Sequence, residues 1–271
     1  VSPGSSSASS EPVVLSSSEN GVRTLTLHNP RRKNALGADG WAALATELAA
    51  ARDDGTRVLV LRGTGGDLCA GADLSDVGPG HPLARMRRIN DVALTLHDLP
   101  VPSIAVVDGV AVGAGWNLAL GCDLVVATPR SRFSQIFAAR GLSLDLGGSW
   151  LLPRLVGMAQ AKRLALLAEM IDGEEAHRLG LVSYLVEPAE VDATVASLVA
   201  RLVAGPPVAL AQTKELLHGA VGLTLAEALR HEARAQAVNL AGDDAAEAFE
   251  AFREKRPTSF TGGWSPDTRG G

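Results

Sequence analysis

Two apolar runs, "TRVLVLRG" at 56–63 and "SIAVVDG" at 103–109, constrain this chain more than any other feature. Each is a continuous stretch of β-branched and aliphatic residues that ends in a glycine turn. A strand with one face in water alternates polar and apolar side chains, so an uninterrupted run of this length reads as a strand covered on both faces. Helices supply such cover, and helical periodicity fills the neighbouring segments "GADGWAALATELAAARDD" (37–54) and "PLARMRRINDVALTLHDL" (82–99). The second sets Leu83, Met86, Ile89, Ala93 and Leu96 on one face. "VRTLTLHN" (22–29) alternates and reads as a half-exposed strand. Strand, helix, strand and helix in this rhythm specify an α/β core.

Beyond residue 155 strands become scarce and helices dominate. Asp172 stands three residues before Glu175 and Thr224 three before Glu227, the spacing of a capping box, and Gly180 suits a helix C-terminus. Pro206 and Pro207 open a further helix, and another runs from about Asp243 to Arg256, where Pro257 stops it. These signals divide the chain into a tail at 1–12, an α/β core at 13–200 and a helical segment at 201–271. The tail, "VSPGSSSASSEP", has neither a basic nor an apolar stretch and reads as flexible rather than as a secretory signal.

With 271 residues, 46% of them hydrophobic, the chain can bury one large core. A net charge of −5 opposes nucleic-acid binding, which needs a basic face, and no apolar run is long enough for a membrane span. Cys69 and Cys122 lack a Cys or His at metal-ligand spacing and read as buried thiols of a reducing compartment, which sets the expected location as cytoplasmic. The six histidines form no metal constellation, so no metal site is expected. "RMRR" (85–88) reads as a solvated helix face, with an arginine reaching a phosphate as the alternative.

Two glycine-rich turns follow strands, "RGTGGDLCAGADL" (62–74) and "DGVAVGAGWNLAL" (108–120). Neither is a dinucleotide loop, because the third glycine of G-x-G-x-x-G would fall at Leu68 in one and Leu118 in the other. "GGSWL" is not a nucleophile elbow either, since Gly148 occupies the serine position. Such turns expose backbone N–H groups, and the second runs straight into a helix whose N-terminus adds to them. Two converging amides would form an oxyanion hole; the alternative is a pair of tight turns. A lone carboxylate, Asp145, sits in "LSLDLGGSWLLPRL" (142–155). Among leucines and a tryptophan it would lose hydration and its pKa would rise toward a value useful for proton transfer; the alternative is a helix N-cap for Gly147 and Gly148.

"LHNPRRKNAL" (27–36), "LCAGADL" (68–74), "VPSIAVVDGVAVGAGWNLALGCDLVVAT" (101–128), "FSQIFAARGLSLDLGGSWLLPRLVG" (133–157) and "FREKRPTSF" (252–260) follow one another in the order of the enoyl-CoA hydratase/isomerase family, the crotonases. The resemblance runs from about residue 12 to residue 263. It implies a spiral of ββα repeats with a helical C-terminal trimerisation segment, and hence a homotrimer or a dimer of trimers. It also implies an acyl-CoA thioester substrate, with coenzyme A part of that substrate and no permanently bound cofactor. By the same resemblance the N–H groups of Ala72 and Ala114 form the oxyanion hole. Ala70, Gly71, Asp73 and Leu74 border the coenzyme, Lys33 is a phosphate contact or a solvated lysine, and Phe252 and Lys255 reach a coenzyme bound mainly by a neighbouring subunit.

The departures from the family pattern point to the reaction. Hydratase members hold the attacking water with two glutamates, and at the matching positions this chain has Asn117 and Phe137, neither of which can take a proton. "GLSLDLGGS" is similar to the G-L-x-P-D-x-G-G-[ST] stretch of an isomerase-like branch, which handles 3-enoyl-CoAs and ring-1,2-epoxyphenylacetyl-CoA, with Leu144 in place of the proline. The resemblance implies that Asp145 shuttles a proton in an acyl pocket lined by Asn117, Phe137, Trp116 and Trp150, the two tryptophans reading equally well as core. Alternatives are hydration or another thioester reaction, and a non-catalytic acyl-CoA-binding subunit.

Overall fold

The computed structural model describes residues 12–73, 75 and 80–265. The chain opens with a hairpin, β1 (Val14–Glu19) and β2 (Val22–Leu27), antiparallel with Glu19 opposite Val22. Asn20 and Gly21 form its two-residue turn, both at positive φ, 51° and 78°, the geometry that follows the natural twist of a hairpin. Helix α1 (Ala38–Ala50) then leads to β3 (Val58–Gly63), and α2 (Pro82–His97) to β4 (Ser103–Val107). Next come β5 (Val110–Val112), α3 (Ala114–Gly121), β6 (Leu124–Ala127) and β7 (Arg132–Ser134). They are followed by α4 (Gly148–Leu166), β8 (Met170–Asp172), α5 (Gly173–Arg178) and β9 (Tyr184–Leu185). Four helices close the order: α6 (Val191–Val203), α7 (Pro207–Gly219), α8 (Leu225–Ala241) and α9 (Asp243–Glu254).

A six-stranded sheet in the order β1-β2-β3-β4-β6-β9 is parallel from β2 onward, and β5, β7 and β8 form a smaller sheet beside it. The expectation for the two apolar runs holds: Val58–Leu61 and all of Ser103–Val107 are buried. Because successive side chains point to opposite faces, Leu59, Leu61, Ala105 and Val107 join Leu44, Leu48, Val92 and Leu96 of α1 and α2. Val58, Val60, Ile104 and Val106 pack instead on Val191 and Leu198 of α6. The alternating unit of strands and helix, followed by the C-terminal helices, is the architecture expected.

On α2 the buried stripe is Ile89, Val92 and Leu96, with Met86 and Ala93 at its edge. Leu83, placed on that stripe from the sequence, is 55% exposed, because it lies in the first turn, outside the stretch that packs. The capping residues behave as their spacing demands: Asp172 accepts from Glu175 N at 2.9 Å, and Thr224 and Glu227 cap each other reciprocally. Helix α9 ends at Glu254, two residues before the Arg256 expected, with Lys255 in the left-handed region. Arg57, just before β3, donates to Val203 O (3.0 Å) and Gly205 O (2.7 Å) and ties the α6–α7 turn to the sheet.

One short bridge joins the two glycine turns and a second ties the first turn to the segment before α1. Cys69 pairs with Ala111, Val112 N donating to Cys69 O at 3.0 Å; Leu36 pairs with Ala72, Leu36 N donating to Gly71 O at 3.0 Å. Helix α3 therefore starts hard against the 69–71 backbone. A Cβ on Gly115 would lie 2.1 Å from Cys69 O, a distance no relaxation of side chains relieves. Gly115→Ala is expected to cost more than about 3 kcal/mol of stability, read by thermal or urea unfolding. A loss below about 1 kcal/mol would show that α3 does not abut this turn so closely.

Candidate active site

At residue 71 the first turn passes close to the second. Gly71 has φ +100°, and a Cβ there would stand 3.1 Å from Val112 O and 3.7 Å from Ala114 N. Only glycine takes both the backbone angle and the space. The pairing of Leu36 with Ala72 uses Gly71 O and Asp73 N, so Ala72 N–H points away from that bridge and donates to no carbonyl among the described residues. Ala114 is the first residue of α3, where an N–H has no partner within the helix. Two unspent amides thus lie close together, one of them on a helix N-terminus where the peptide dipoles also favour negative charge.

A cavity of about 710 Å³ opens at Ala72, and Asp73, Phe137, Leu144 and Asp145 also line it, with α1 and α2 forming the far wall; Ala114 is buried behind the 71–72 backbone and does not itself line it. Asp145 is held where water reaches it poorly. Its Oδ1 is buried and has no hydrogen-bond partner. Burial pushes the carboxyl pKa up to about 6, while the Asn117 amide draws it the other way. The capping alternative fails on geometry: the N-cap of α4 is Gly147, in the left-handed region, and no side chain caps it. The main-chain carbonyl of Asp145 accepts from Gly148 N at 2.9 Å, so the carboxylate is not spent on the helix amides.

The family described as enoyl-CoA hydratase/isomerase matches residues 17–263, nearly the whole chain. The chain belongs to this family. It is 38% identical over 257 residues to the 1,2-epoxyphenylacetyl-CoA isomerase of Escherichia coli K12, covering 92% of this chain and 98% of that protein. It is 39% identical over 245 residues to a probable enoyl-CoA hydratase of Rhodobacter capsulatus, covering 89% and 95%. Among solved structures, a putative enoyl-CoA hydratase from Streptomyces coelicolor A3(2) superposes with a TM-score of 0.88 at 38% identity, covering 97% of this chain and all of that one. The architecture is the crotonase fold, and the protein is an acyl-CoA-processing enzyme of the hydratase/isomerase family.

The structure distributes the remaining candidate residues of this crotonase unevenly. Lys33 and Ala70 are joined, Ala70 N donating to Lys33 O at 2.9 Å, and the Lys33 side chain is exposed beside the first turn. Asp73 is held by Arg32 Nη1 at 3.2 Å and by Ser75. Leu74 lies outside the described residues. Phe252 (85% exposed) and Lys255, at the end of α9, do not line the cavity within one subunit.

Of the two readings of Trp116, pocket wall and core, the packing is that of core. The side chain is fully buried against Phe133, ring centroids 5.5 Å apart, and lines neither cavity; its flank of glycines let it pack inward as core. Asn117 and Trp150 line a second, smaller cavity of about 280 Å³ rather than the large one. Trp150 there meets His97 edge-on at 5.3 Å, with the Arg154 guanidinium 4.0 Å from its ring centre. In "RMRR" Arg87 and Arg88 are exposed, as a solvated helix face requires, and Arg85 and Arg88, three residues apart on one face of α2, border the large cavity.

Sequence reasoning missed Gln135, which is fully buried and donates from Nε2 to Asn117 Oδ1 at 2.8 Å. The signal was a polar amide inside the apolar stretch "FSQIF".

The raised pKa of Asp145 has a consequence for stability. Between the ordinary 3.8 and about 6 the folded state binds more protons than the unfolded one, so stability falls as pH rises through that window. The full interval corresponds to about 3 kcal/mol at most. Asp145→Asn is therefore expected to raise Tm at pH 8, with the gain fading toward pH 4. An identical Tm for both chains at pH 8 would contradict a desolvated carboxylate.

Proposed function

We propose that this crotonase moves the carbon–carbon double bond of an acyl-CoA thioester, with Asp145 carrying the proton. The observation that carries the reading is a desolvated carboxylate, not spent on helix amides, in the same cavity as Ala72, beside the N-terminus of α3. The thioester oxygen accepts from the Ala72 and Ala114 amides, which makes the α-proton acidic. Asp145 takes that proton from C2; the C–H electron pair spreads over the dienolate, and its charge rests on the thioester oxygen within the hole. The same carboxyl then returns the proton at C4. The double bond shifts from C3–C4 to C2–C3, no atom is gained or lost, and no water is activated. That the hydratase glutamates are replaced by Asn117 and Phe137 supports this over hydration, as does the kinship with a protein named as an isomerase. The same proton chemistry suits a ring-epoxyphenylacetyl-CoA type of substrate.

Coenzyme A enters as part of the substrate, bordered by Lys33, Ala70, Gly71 and Asp73. A homotrimer, or a dimer of trimers, is consistent with the large apolar side chains left exposed on α4 and α7–α9, among them Leu155, Met158, Leu217, Leu229 and Phe249.

The test is incubation with a 3-enoyl-CoA in deuterium oxide, followed by mass spectrometry. The expected product is the 2-enoyl-CoA, with deuterium entering C4 only in the fraction of turnovers in which the protonated Asp145 exchanges with solvent before it delivers the proton, and Asp145→Asn lowers product formation by about 10²- to 10⁴-fold. The kcat/KM profile falls below about pH 6, where the base becomes protonated. A 3-hydroxyacyl-CoA as the main product from a 2-enoyl-CoA, or an Asp145→Asn chain that retains turnover, would overturn the proposal.

A further inference from the structure

We infer that Asn117 is a positioning residue for Asp145: its side-chain amide, oriented by Gln135 and admitted by Gly148, fixes the loop that aims the carboxylate. The inference rests on the proton-shuttle reading above. Asn117 is 1% exposed, and its Nδ2 donates to the main-chain carbonyl of Asp145 at 2.9 Å. Gln135 Nε2 donates to Asn117 Oδ1 at 2.8 Å. The direction of both bonds follows from one fact, that a backbone carbonyl can only accept. Asp145 O therefore requires the NH₂ of Asn117. The Asn117 oxygen then faces Gln135, and Gln135 must present its own NH₂.

The third member is a glycine. A Cβ on Gly148 would lie 2.5 Å from Asn117 Nδ2 and 2.7 Å from Oδ1, so the amide reaches the 145 loop only because residue 148 has no side chain. Gly148 N closes the same loop on Asp145 O, which thus accepts twice. A carboxylate at 117 would set acceptor against acceptor at this carbonyl and add a negative charge near a carboxyl that is already desolvated. Asparagine at this position is thus more than the loss of an acid; it lets the proton-carrying acid reside at 145.

The experiment compares wild type, Asp145→Asn, Asn117→Ala, Asn117→Asp and Gly148→Ala by deuterium exchange and by kcat, KM and the pH profile for a 3-enoyl-CoA. Asn117→Ala is expected to lower kcat by about 10- to 100-fold, since a small misplacement of a reacting group has that effect, with KM changed by less than about threefold. Loss of the amide also moves the acid limb of kcat/KM to higher pH. Asn117→Asp, which keeps the shape, loses at least as much activity, an outcome that packing alone does not give. Gly148→Ala displaces Asn117 without altering any polar group and reproduces the Asn117→Ala profile, so the test stands even if one variant fails to fold.

Exchange that persists in Asp145→Asn would sink the shuttle reading and this inference with it. Exchange lost in Asp145→Asn, but with kcat and acid limb unchanged in Asn117→Ala and Gly148→Ala, would leave the shuttle standing and overturn the positioning role alone.

Discussion

The close approach of α3 to the 69–71 backbone is the contact on which the site depends. It needs glycine at two places, Gly115 because a Cβ would collide with Cys69 O, and Gly71 because the chain turns there at φ +100° beside Val112 and Ala114. With both in place, the amides of Ala72 and Ala114 are brought near one another, and neither donates to a carbonyl among the described residues. The geometry comes from backbone, so the side chains at 72 and 114 matter only in being small. Two layers of helix on a buried parallel sheet hold that backbone rigidly, and rigidity makes fixed dipoles effective where charge develops.

The second requirement is an acid kept dry, and the same loop supplies it. A glycine at position 147 caps α4 without a side chain, so Asp145 is not spent on helix amides. Its carbonyl accepts from Gly148 N and Asn117 Nδ2, and the Asn117 amide also lies close enough to the carboxyl to lower its pKa, while Oδ1 has no partner among the described residues. The main chain is anchored while one carboxyl oxygen, Oδ1, is left unsatisfied. That division costs folding stability and raises the pKa, the combination expected of a group whose use is proton transfer near neutrality.

How legible all this was in the sequence varied with the physical origin of each feature. β3 and β4 were plain, because burial on both faces writes an unbroken apolar run. β1 was not: "VLSSSE" is exposed except at Val14, and it is recruited by the Asn20-Gly21 turn and pairing with β2. β5, β7, β8 and β9, of two or three residues each, are too short for any periodicity to show. The arrangement of repeats came from the family resemblance alone. In the site, Asp145 stood out as a charge among leucines. Its support did not, because the bonds from Gln135 to Asn117 and from Asn117 to Asp145 join positions 18 and 28 residues apart. Trp116 reads equally as pocket wall and as core, and the glycines beside it serve the backbone contact and leave the indole free to pack on Phe133 as core.

The central claim is that one thioester sits with its oxygen on two backbone amides and its reacting carbons against Asp145. A crystal structure of the Asp145→Asn chain with a bound 3-enoyl-CoA tests it most directly. The account predicts the thioester oxygen about 2.7–3.1 Å from both Ala72 N and Ala114 N, with C2 and C4 each about 3–3.5 Å from the residue 145 side chain. A thioester oxygen that meets neither amide, or an acyl chain whose C2 and C4 lie out of reach of residue 145, would contradict it.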